Sequence, residues 1–232
     1  MNPINKHALS NQNGLSSKCT NFNPGPAYLP DAVNERLKSL IETRLITGHS
    51  VLEDSHRSQS FTEIHLQIET LIRRILNVPK HYIILLLPGG ARAQSAAIPM
   101  NFIHTGTQPI YIETGIWSTL ASREAMRYGD ILRKTHNDDL NTRRFKDCAY
   151  YHYVDNETID GFYWSELPTL QHRRVVCDMT SSLFAYPPQF DQVGLIYAAS
   201  QKNFGLPGMT LVMVDSNWLS EARPLSITPS VL

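Results

Sequence analysis

Hydrophobic and polar positions along this chain follow two periods, one typical of helices and one typical of buried strands. Apolar residues recur three and four positions apart over residues 62–76, which predicts an amphipathic helix. Ser60 and Glu63 stand at capping-box spacing, so the helix is expected to start there. Short unbroken apolar runs at 83–87 and 193–198 instead predict strands that are buried on both faces.

The other segments continue this alternation of helices and strands. Residues 45–53, 136–147 and 155–158 are expected to form a loop, a polar surface excursion and a turn. Further helices are predicted over 31–44, 92–101 and 118–128, and further strands over 110–113, 130–134, 149–154, 174–177 and 209–214. Strands that alternate with helices favour an α/β fold whose mostly parallel sheet is sandwiched by helices.

Length and composition narrow the class of protein. A chain of 232 residues, of which 42% are apolar, is typical of a globular protein with a sizeable core. Residues 1–20 are polar and predict a loose N-terminal tail, which leaves 21–232 as the folded domain. The 21 basic and 21 acidic residues balance, which gives no electrostatic case for nucleic acid or an anionic membrane and permits self-association.

Apolar runs and cysteines bear on location. The longest apolar run, 82–87, is too short to span a bilayer. The chain has an odd number of cysteines, namely Cys19, Cys148 and Cys177. They lie far apart and lack the spacing of metal ligands. We therefore expect no metal site and a reducing, cytoplasmic setting.

The candidate chemistry centres on Lys202. This lysine follows the apolar run 193–198 and precedes a turn rich in glycine and proline, so it is expected near the end of a strand. Burial there would lower the pKa of its amine, and a neutral amine can attack a carbonyl and form a Schiff base. Considered alone, a solvent-exposed loop lysine is the commoner case.

Four other features each have a chemical and a purely structural interpretation. The amides of Gly89-Gly90-Ala91-Arg92 can bind phosphate at a helix N-terminus, or form an ordinary turn. Trp117 can stack on a flat ring, or pack in the core. Asp178 can pair with a protonated ring nitrogen, or cap a turn. His56-Arg57 can bind a carboxylate or phosphate, or form a surface basic pair.

The positions of these residues favour the chemical interpretation. Ligands of mostly parallel sheets bind beyond the carboxyl ends of the strands. Pro88-Gly89-Gly90, Trp117, Thr158, Asp178 and Lys202 all fall at or just past predicted strand ends. Together they offer a phosphate cradle, a stacking aromatic ring, a carboxylate for a pyridinium and an amine for a Schiff base. Pyridoxal 5'-phosphate requires this set.

The sequence resembles the phosphoserine aminotransferases, a family of class V transaminases among the fold type I pyridoxal phosphate enzymes. The resemblance runs from Asn21 to the last residue. Its motifs are Phe22-Asn23-Pro24-Gly25-Pro26-Ala27, Ser55-His56-Arg57, Gly89-Gly90-Ala91-Arg92-Ala93-Gln94, Asn156-Glu157-Thr158-Ile159-Asp160-Gly161, Asp178-Met179-Thr180-Ser181-Ser182 and Gln201-Lys202-Asn203. Several such blocks in the same order make a chance match very improbable.

The resemblance implies a role for each residue around the cofactor ring. Lys202 is similar to the family's Schiff-base lysine, and Asp178 to the partner of the pyridine nitrogen. Trp117 is similar to the residue that stacks on the ring, and Thr158 to the hydroxyl that bonds the ring oxygen.

The resemblance also implies anion-binding residues. Ala91 and Arg92 match the backbone position and arginine at the cofactor phosphate, and Gln201 matches another phosphate ligand. His56 and Arg57, with Arg92, match residues that bind the acidic groups of the substrates. The implied reaction moves the amino group of glutamate to 3-phosphohydroxypyruvate, giving phosphoserine and 2-oxoglutarate. The family also serves pyridoxine synthesis in many bacteria, and works as a homodimer with sites at the subunit boundary.

Departures from the family pattern leave two interpretations open. The family typically has glycine where Ala91 and Ala93 stand, and alanine costs energy there if the backbone needs a positive φ. The family also continues past the segment that resembles 226–232, with a small C-terminal domain that is missing here. We therefore expect either a truncated transaminase with weak cofactor binding and low turnover, or a non-catalytic remnant. In the second case the chain binds the cofactor without turnover, or another chain completes the site.

Overall fold

The structure is a computed structural model that leaves some segments undescribed. The predicted tail over residues 1–20 lies outside the described part apart from Thr20, and so does the segment 141–147 of the predicted surface excursion. The described residues are 20–45, 48–104, 106–140, 148–165, 170 and 174–229.

These residues form five helices and nine strands. The helices are α1 (Asp31–Glu42), α2 (Gln59–Leu76), α3 (Ala91–Phe102), α4 (Ile116–Ala125) and α5 (Ser216–Ser220). The strands are β1 (Tyr82–Pro88), β2 (Ile110–Glu113), β3 (Leu132–Thr135), β4 (Tyr151–Val154), β5 (Asn156–Glu157), β6 (Phe162–Tyr163), β7 (Val175–Asp178), β8 (Leu195–Ala199) and β9 (Met209–Asp215).

Seven of these strands form one sheet in the order β1-β9-β8-β7-β4-β2-β3. Strand β9 is antiparallel to its neighbours β1 and β8, and the other neighbouring pairs are parallel. The carboxyl ends of the other six strands therefore meet at one edge of the sheet, where ligands of such sheets bind. The prediction of a mostly parallel α/β sheet is confirmed.

Helices cover both faces of this sheet, as predicted. On one face, α2 contributes Ile72 and Leu76 to a buried core with strand residues. On the other face, α3, α4 and α5 contribute Ile98, Ala125 and Trp218 to a second core. Burial of the apolar stripe of each helix against the sheet is the main source of stability for such a layered fold.

Helix α2 begins slightly earlier than the sequence predicts. The Ser58 side chain caps it by accepting a hydrogen bond from Phe61 N at 3.0 Å. The expected capping box of Ser60 and Glu63 is wrong, because Ser60 lies inside the helix and its hydroxyl donates to Asp54 at 2.5 Å. The Asp54 carboxylate, six residues before Ser60, also accepts from the Ser58 hydroxyl at 2.7 Å and so holds both serines at the start of the helix.

Two elements have no counterpart in the prediction. Strands β5 and β6 pair as an antiparallel hairpin where a turn is expected. Helix α5 follows β9 directly, and Asp215 caps it by accepting from Asn217 N at 2.8 Å. Both elements are too short to produce a recognisable hydrophobic period.

Other properties of the described residues bear on the class of protein. None of the helices in this part of the chain is long and apolar enough to cross a membrane. Likewise, no group of three or more histidine, cysteine, aspartate and glutamate residues in the described ranges could hold a metal ion. Cys148 and Cys177 are buried thiols, and Cys19 lies outside the described residues.

Candidate active site

A cleft of about 580 Å³ opens at the carboxyl edge of the sheet. The ends of β4 and β7 and the first turns of α3 and α4 contribute to its walls. The cleft brings together seven of the predicted site residues, which are Ala91, Arg92, Trp117, Thr158, Asp178, Gln201 and Lys202. Residues that are far apart in sequence therefore converge where the pattern of strand ends predicts a ligand site.

Lys202 lies in a tight turn that follows β8. Ser200 N donates to Met209 O at 2.9 Å, and Gly205 N donates to Ser200 O at 2.7 Å. The Ser200 hydroxyl also donates to Leu206 O across the turn. These bonds fix the backbone that carries the half-buried Lys202 into the cleft.

The Lys202 amine contacts the opposite wall of the cleft. Its Nζ donates to Thr158 Oγ1 at 3.3 Å and lies 5.9 Å from the centre of the Trp117 ring. Burial lowers the pKa of Lys202, whereas the negative charge of Asp178 raises it. A lysine with a lowered pKa in a cleft is suited to act as a nucleophile or a proton carrier.

Asp178 ends β7 and is buried, with 8% of its surface exposed. Burial raises the pKa of its carboxyl, and hydrogen bonds from Thr180 and Tyr197 oppose that shift. The Thr180 amide donates to Asp178 Oδ1 at 2.8 Å and orients the side chain. Because the surroundings only partly compensate its charge, the carboxylate is suited to a cationic partner in the cleft.

Trp117 lies in the first turn of α4 and is tied to the hairpin of β5 and β6. Its indole Nε1 donates to Thr158 Oγ1 at 3.0 Å, the same oxygen that Lys202 approaches. Thr158 therefore links the aromatic ring on one wall of the cleft to the amine on the other.

Glu157 holds the first turn of α4 in place. Its carboxylate accepts from the backbone amides of Trp117 and Ser118, each at 2.8 Å, and from the Ser118 hydroxyl at 2.6 Å. Gly115 lets the chains approach this closely, because an added Cβ would lie 2.7 Å from Glu157 Cδ and 2.4 Å from Asp160 Oδ2. The fully buried Glu157 side chain thus replaces a local cap and positions the indole.

Substitution of Glu157 by alanine is expected to destabilise the protein by about 3 kcal/mol, because three donors, two of them buried, lose their acceptor. Urea unfolding followed by far-UV circular dichroism measures this change. Glu63→Ala is the control, since it removes an exposed carboxylate from α2 and should change stability by less than about 0.5 kcal/mol. Equal effects of the two substitutions would contradict the role of Glu157.

The N-terminus of α3 forms another wall, through Gly90, Ala91 and Arg92. No described side chain makes a hydrogen bond at its N-cap, so the amides of Ala91 and Arg92 are available to an anion, whereas Ala93 N already donates to Gly90 O at 2.9 Å. Ala91 and Ala93 lie inside α3, and neither is among the described non-glycine residues with positive φ. The backbone cost considered for these alanines therefore does not arise, because the left-handed position is Gly89, at φ 101°.

Gly89→Ala is expected to cost about 2 kcal/mol, because Gly89 has a positive φ and an added Cβ would lie 3.1 Å from Ala93 Cβ. Its neighbour supplies a matched control. Gly90 has φ −119°, and nothing lies within 4 Å of an added Cβ, so Gly90→Ala should be close to neutral. Thermal unfolding of both variants measures the difference, and a Gly90 variant as unstable as the Gly89 variant would contradict this backbone assignment.

The loop of residues 21–27 packs against the Lys202 turn. Ala27 N donates to Gln201 O at 3.0 Å. A Cβ added to Gly25 would lie 3.1 Å from Lys202 Cγ. This early motif of the sequence therefore supports the backbone and side chain beside the amine.

His56 and Arg57 do not line the cleft. Both are exposed in a turn ahead of α2, where Arg57 N donates to Ser55 Oγ at 3.2 Å. Their predicted role in binding acidic groups stays a prediction.

Three charged residues that the sequence analysis does not single out also line the cleft, namely Arg123 and Glu124 in the last turn of α4 and Arg127 just beyond its end. Glu124, seven residues after Trp117, lies two turns along the same side of the helix, which is the signal that could have found it.

Comparison with known proteins adds to this geometry. The sequence profile of the family described as Aminotransferase class-V matches residues 19–231. The chain belongs to this family. Its membership agrees with the resemblance in the sequence, and the mostly parallel, helix-covered sheet is the fold type I architecture of the class-V aminotransferases.

Relatives in the class-V aminotransferase family include proteins named phosphoserine aminotransferase. The one from Coxiella burnetii strain CbuK_Q154 is 38% identical over an alignment of 225 positions, and the match covers 93% of this chain and 62% of that protein. The one from Acinetobacter baylyi is 38% identical over an alignment of 224 positions, and the match covers 91% of this chain and 61% of that protein. The chain thus spans about three fifths of the length of these curated relatives.

A solved class-V structure agrees with the fold. The crystal structure of phosphoserine aminotransferase from Trichomonas vaginalis, which contains bound PLP, is 32% identical to this chain. It superposes with a TM-score of 0.80 over 90% of this chain and 65% of that protein.

Proposed function

We propose that this protein is a pyridoxal phosphate-dependent transaminase of the phosphoserine aminotransferase type. The reaction moves the amino group of L-glutamate to 3-phosphohydroxypyruvate and yields O-phospho-L-serine and 2-oxoglutarate. The half-buried Lys202 amine, which has a lowered pKa and meets Thr158 in the cleft, is the observation that carries the proposal. The reaction belongs to serine biosynthesis, and a second role in pyridoxine biosynthesis is part of the proposal.

The residues of the cleft fit the parts of this cofactor. Ala91 and Arg92, at an α3 N-terminus without a side-chain cap, would hold the phosphate together with Gln201. Trp117 offers a ring face of matching shape. Asp178 offers a buried carboxylate for the ring nitrogen. In this proposal residues 21–232 form one cofactor-binding domain.

When bound, pyridoxal phosphate supplies an aldehyde that condenses with amines and a ring that accepts electrons. The lowered pKa of Lys202 increases the uncharged fraction of its amine at neutral pH, which is the form that can attack a carbonyl or accept a proton. Thr158 Oγ1 accepts from both Lys202 and Trp117 and so keeps Nζ directed into the cleft. Asp178, when ionised, would favour a proton on the ring nitrogen of the bound cofactor.

Both proposed substrates carry two acidic groups, which need cationic residues. Arg92 lines the cleft and is assigned to these groups as well as to the cofactor phosphate. His56 and Arg57 are assigned to the distal acidic group. Because these two residues lie outside the cleft of their own chain, we propose that they act at the cleft of a second copy in a homodimer.

The exposed apolar side chains of α2 support a homodimer. Phe61, Leu71 and Ile75 are 42%, 44% and 57% exposed on the helix that follows the turn of His56 and Arg57. Light scattering after size exclusion measures the oligomeric state. A cytoplasmic location completes the proposal and is supported by the buried thiols Cys148 and Cys177.

Absorbance spectroscopy tests the proposal directly. Titration of the protein with pyridoxal phosphate is expected to produce a visible band that free cofactor lacks. Addition of L-glutamate should then shift the band to the ultraviolet and release 2-oxoglutarate. A band that glutamate leaves unchanged would favour the alternative, a binding remnant that is inactive, weakly active or completed by another chain. Absence of any band would contradict both.

A further inference from the structure

A buried chain of polar groups lies behind Asp178, on the face of the sheet that α3 and α4 cover. Tyr197 is the register partner of Asp178 in the neighbouring strand β8, so the two side chains stand side by side on one face of the sheet, and hydrogen bonding with Tyr197 lowers the pKa of the Asp178 carboxyl. His152 Nε2 lies 3.0 Å from the Tyr197 hydroxyl. Tyr197 and His152 are 0% and 1% exposed, so water does not compete for these bonds.

The surroundings of His152 determine its tautomer. Burial lowers the pKa of His152 to about 3, so the ring is neutral at physiological pH and carries one proton. Its Nδ1 is buried and has no hydrogen-bond partner among the described residues. An orphaned buried N–H is rarer than an orphaned acceptor, so the proton belongs on Nε2 and Nδ1 carries the unused lone pair.

This tautomer fixes the direction of the whole chain. With its proton on Nε2, His152 donates to the Tyr197 oxygen and cannot accept from it. With its oxygen occupied as an acceptor, Tyr197 directs its own proton to Asp178.

We propose that Tyr197 and His152 are positioning residues for Asp178, in which His152 Nε2–H donates to the Tyr197 oxygen and Tyr197 O–H donates to the Asp178 carboxylate. The network thereby keeps the buried carboxylate ionised and available to the cationic ring nitrogen. The benefit to cofactor binding rests on the proposed function, whereas the direction of the hydrogen bonds does not. The His152 ring stacks on the Tyr111 ring, with centroids 4.6 Å apart, and this contact orients the imidazole.

Nuclear magnetic resonance of the cofactor-free chain tests the direction of the network. In protein labelled with ¹⁵N-histidine, the His152 signals, assigned with His152→Phe, should show a neutral ring protonated on Nε2. In protein labelled with ¹³C-aspartate, Tyr197→Phe should raise the pKa of Asp178 because the carboxylate loses a donor. A proton on His152 Nδ1, or an Asp178 titration unchanged by Tyr197→Phe, would overturn the proposal.

Cofactor binding provides the second readout. Tyr197→Phe should weaken pyridoxal phosphate affinity at least about tenfold, the effect of losing one hydrogen bond to a charged group. It should also shift the ¹⁵N signal of labelled cofactor towards neutral pyridine. His152→Phe should act in the same direction, and the double variant should bind no more weakly than Tyr197→Phe, because His152 acts through Tyr197. Additive losses would overturn the proposed chain.

The matched control is Tyr153→Phe, which removes an equally buried hydroxyl from the opposite face of the sheet. This variant should keep wild-type affinity and the wild-type ¹⁵N signal, and a loss equal to that of Tyr197→Phe would overturn the proposal. If the wild-type chain itself fails to bind pyridoxal phosphate, the proposed function fails. In that case the tautomer of His152 and the titration of Asp178 still test the direction of the hydrogen bonds, because both are measured without cofactor.

Discussion

The Lys202→Ala variant is expected to show no visible absorbance band with pyridoxal phosphate and to lose transamination by about a thousandfold or more. Alanine removes the amine that meets Thr158 Oγ1 in the cleft, and with it both the nucleophile and the proton carrier. Absorbance titration measures the first effect, and 2-oxoglutarate formation from glutamate measures the second. The side chain is only half-buried, so the fold itself should persist.

Lys80→Ala is the control for this substitution. Lys80 is exposed just ahead of β1, at the opposite end of that strand from the cleft. Its removal deletes a lysine without touching the site, so the band and the rate should match those of the unsubstituted protein. A visible band in Lys202→Ala as strong as in Lys80→Ala would show that another amine reacts, and the proposed role of Lys202 would be wrong.

Asp178→Asn is expected to reduce pyridoxal phosphate affinity by about a hundredfold, because loss of one member of a buried charge pair typically costs about 2–5 kcal/mol. Without cofactor, the same substitution should remove a pH dependence of stability. Burial raises the pKa of Asp178 above its unfolded value, so its contribution to stability is lost as pH rises through the raised pKa. The asparagine variant should lack this decline in urea unfolding measured across the acidic range.

A second buried carboxylate can show whether the loss of cofactor affinity depends on a position in the cleft or on burial alone. Asp155 follows β4 at the same edge of the sheet and is 3% exposed, but its carboxylate accepts from Ser182 and Tyr186 outside the cleft. Asp155→Asn should therefore keep cofactor affinity in its folded fraction. Equal loss of affinity in the Asp178 and Asp155 variants would mean that the effect reflects general damage to this edge.

The pattern of apolar and polar residues predicts most of the fold, because the faces of each helix and strand that are buried must be apolar. The apolar runs that form β1 and β8 and the stripe of α2 each reflect a face that the sheet or a helix covers. The start of α2 could not be predicted, because Ser58 and Ser60 both donate to Asp54 and only their placement in the fold decides that Ser58 caps the helix. The hairpin of β5 and β6 depends on pairing and on contacts with α4, and two-residue strands leave no period to detect.

The candidate site is predictable where a residue type and its position at a strand end both point to chemistry, as for Lys202 and Asp178. The groups that support them are harder to foresee. Glu157 acts through amides of a helix about forty positions away, and His152 and Tyr197 look like ordinary core residues in buried strands. Only their three-dimensional neighbours distinguish a polar network from packing.

The reversed strand β9 has a consequence for how the nascent chain folds. Residues 82–88 pair with 209–215, and beyond that pairing Gly89 N donates to Gly208 O at 2.9 Å. The glycine turn ahead of α3 therefore cannot adopt its final shape until β9 has left the ribosome. Such high contact order slows folding, and a partly synthesised chain exposes the unpaired edges of β1 and β8. Chaperones that shield strand edges are therefore expected to increase the yield of this protein during translation.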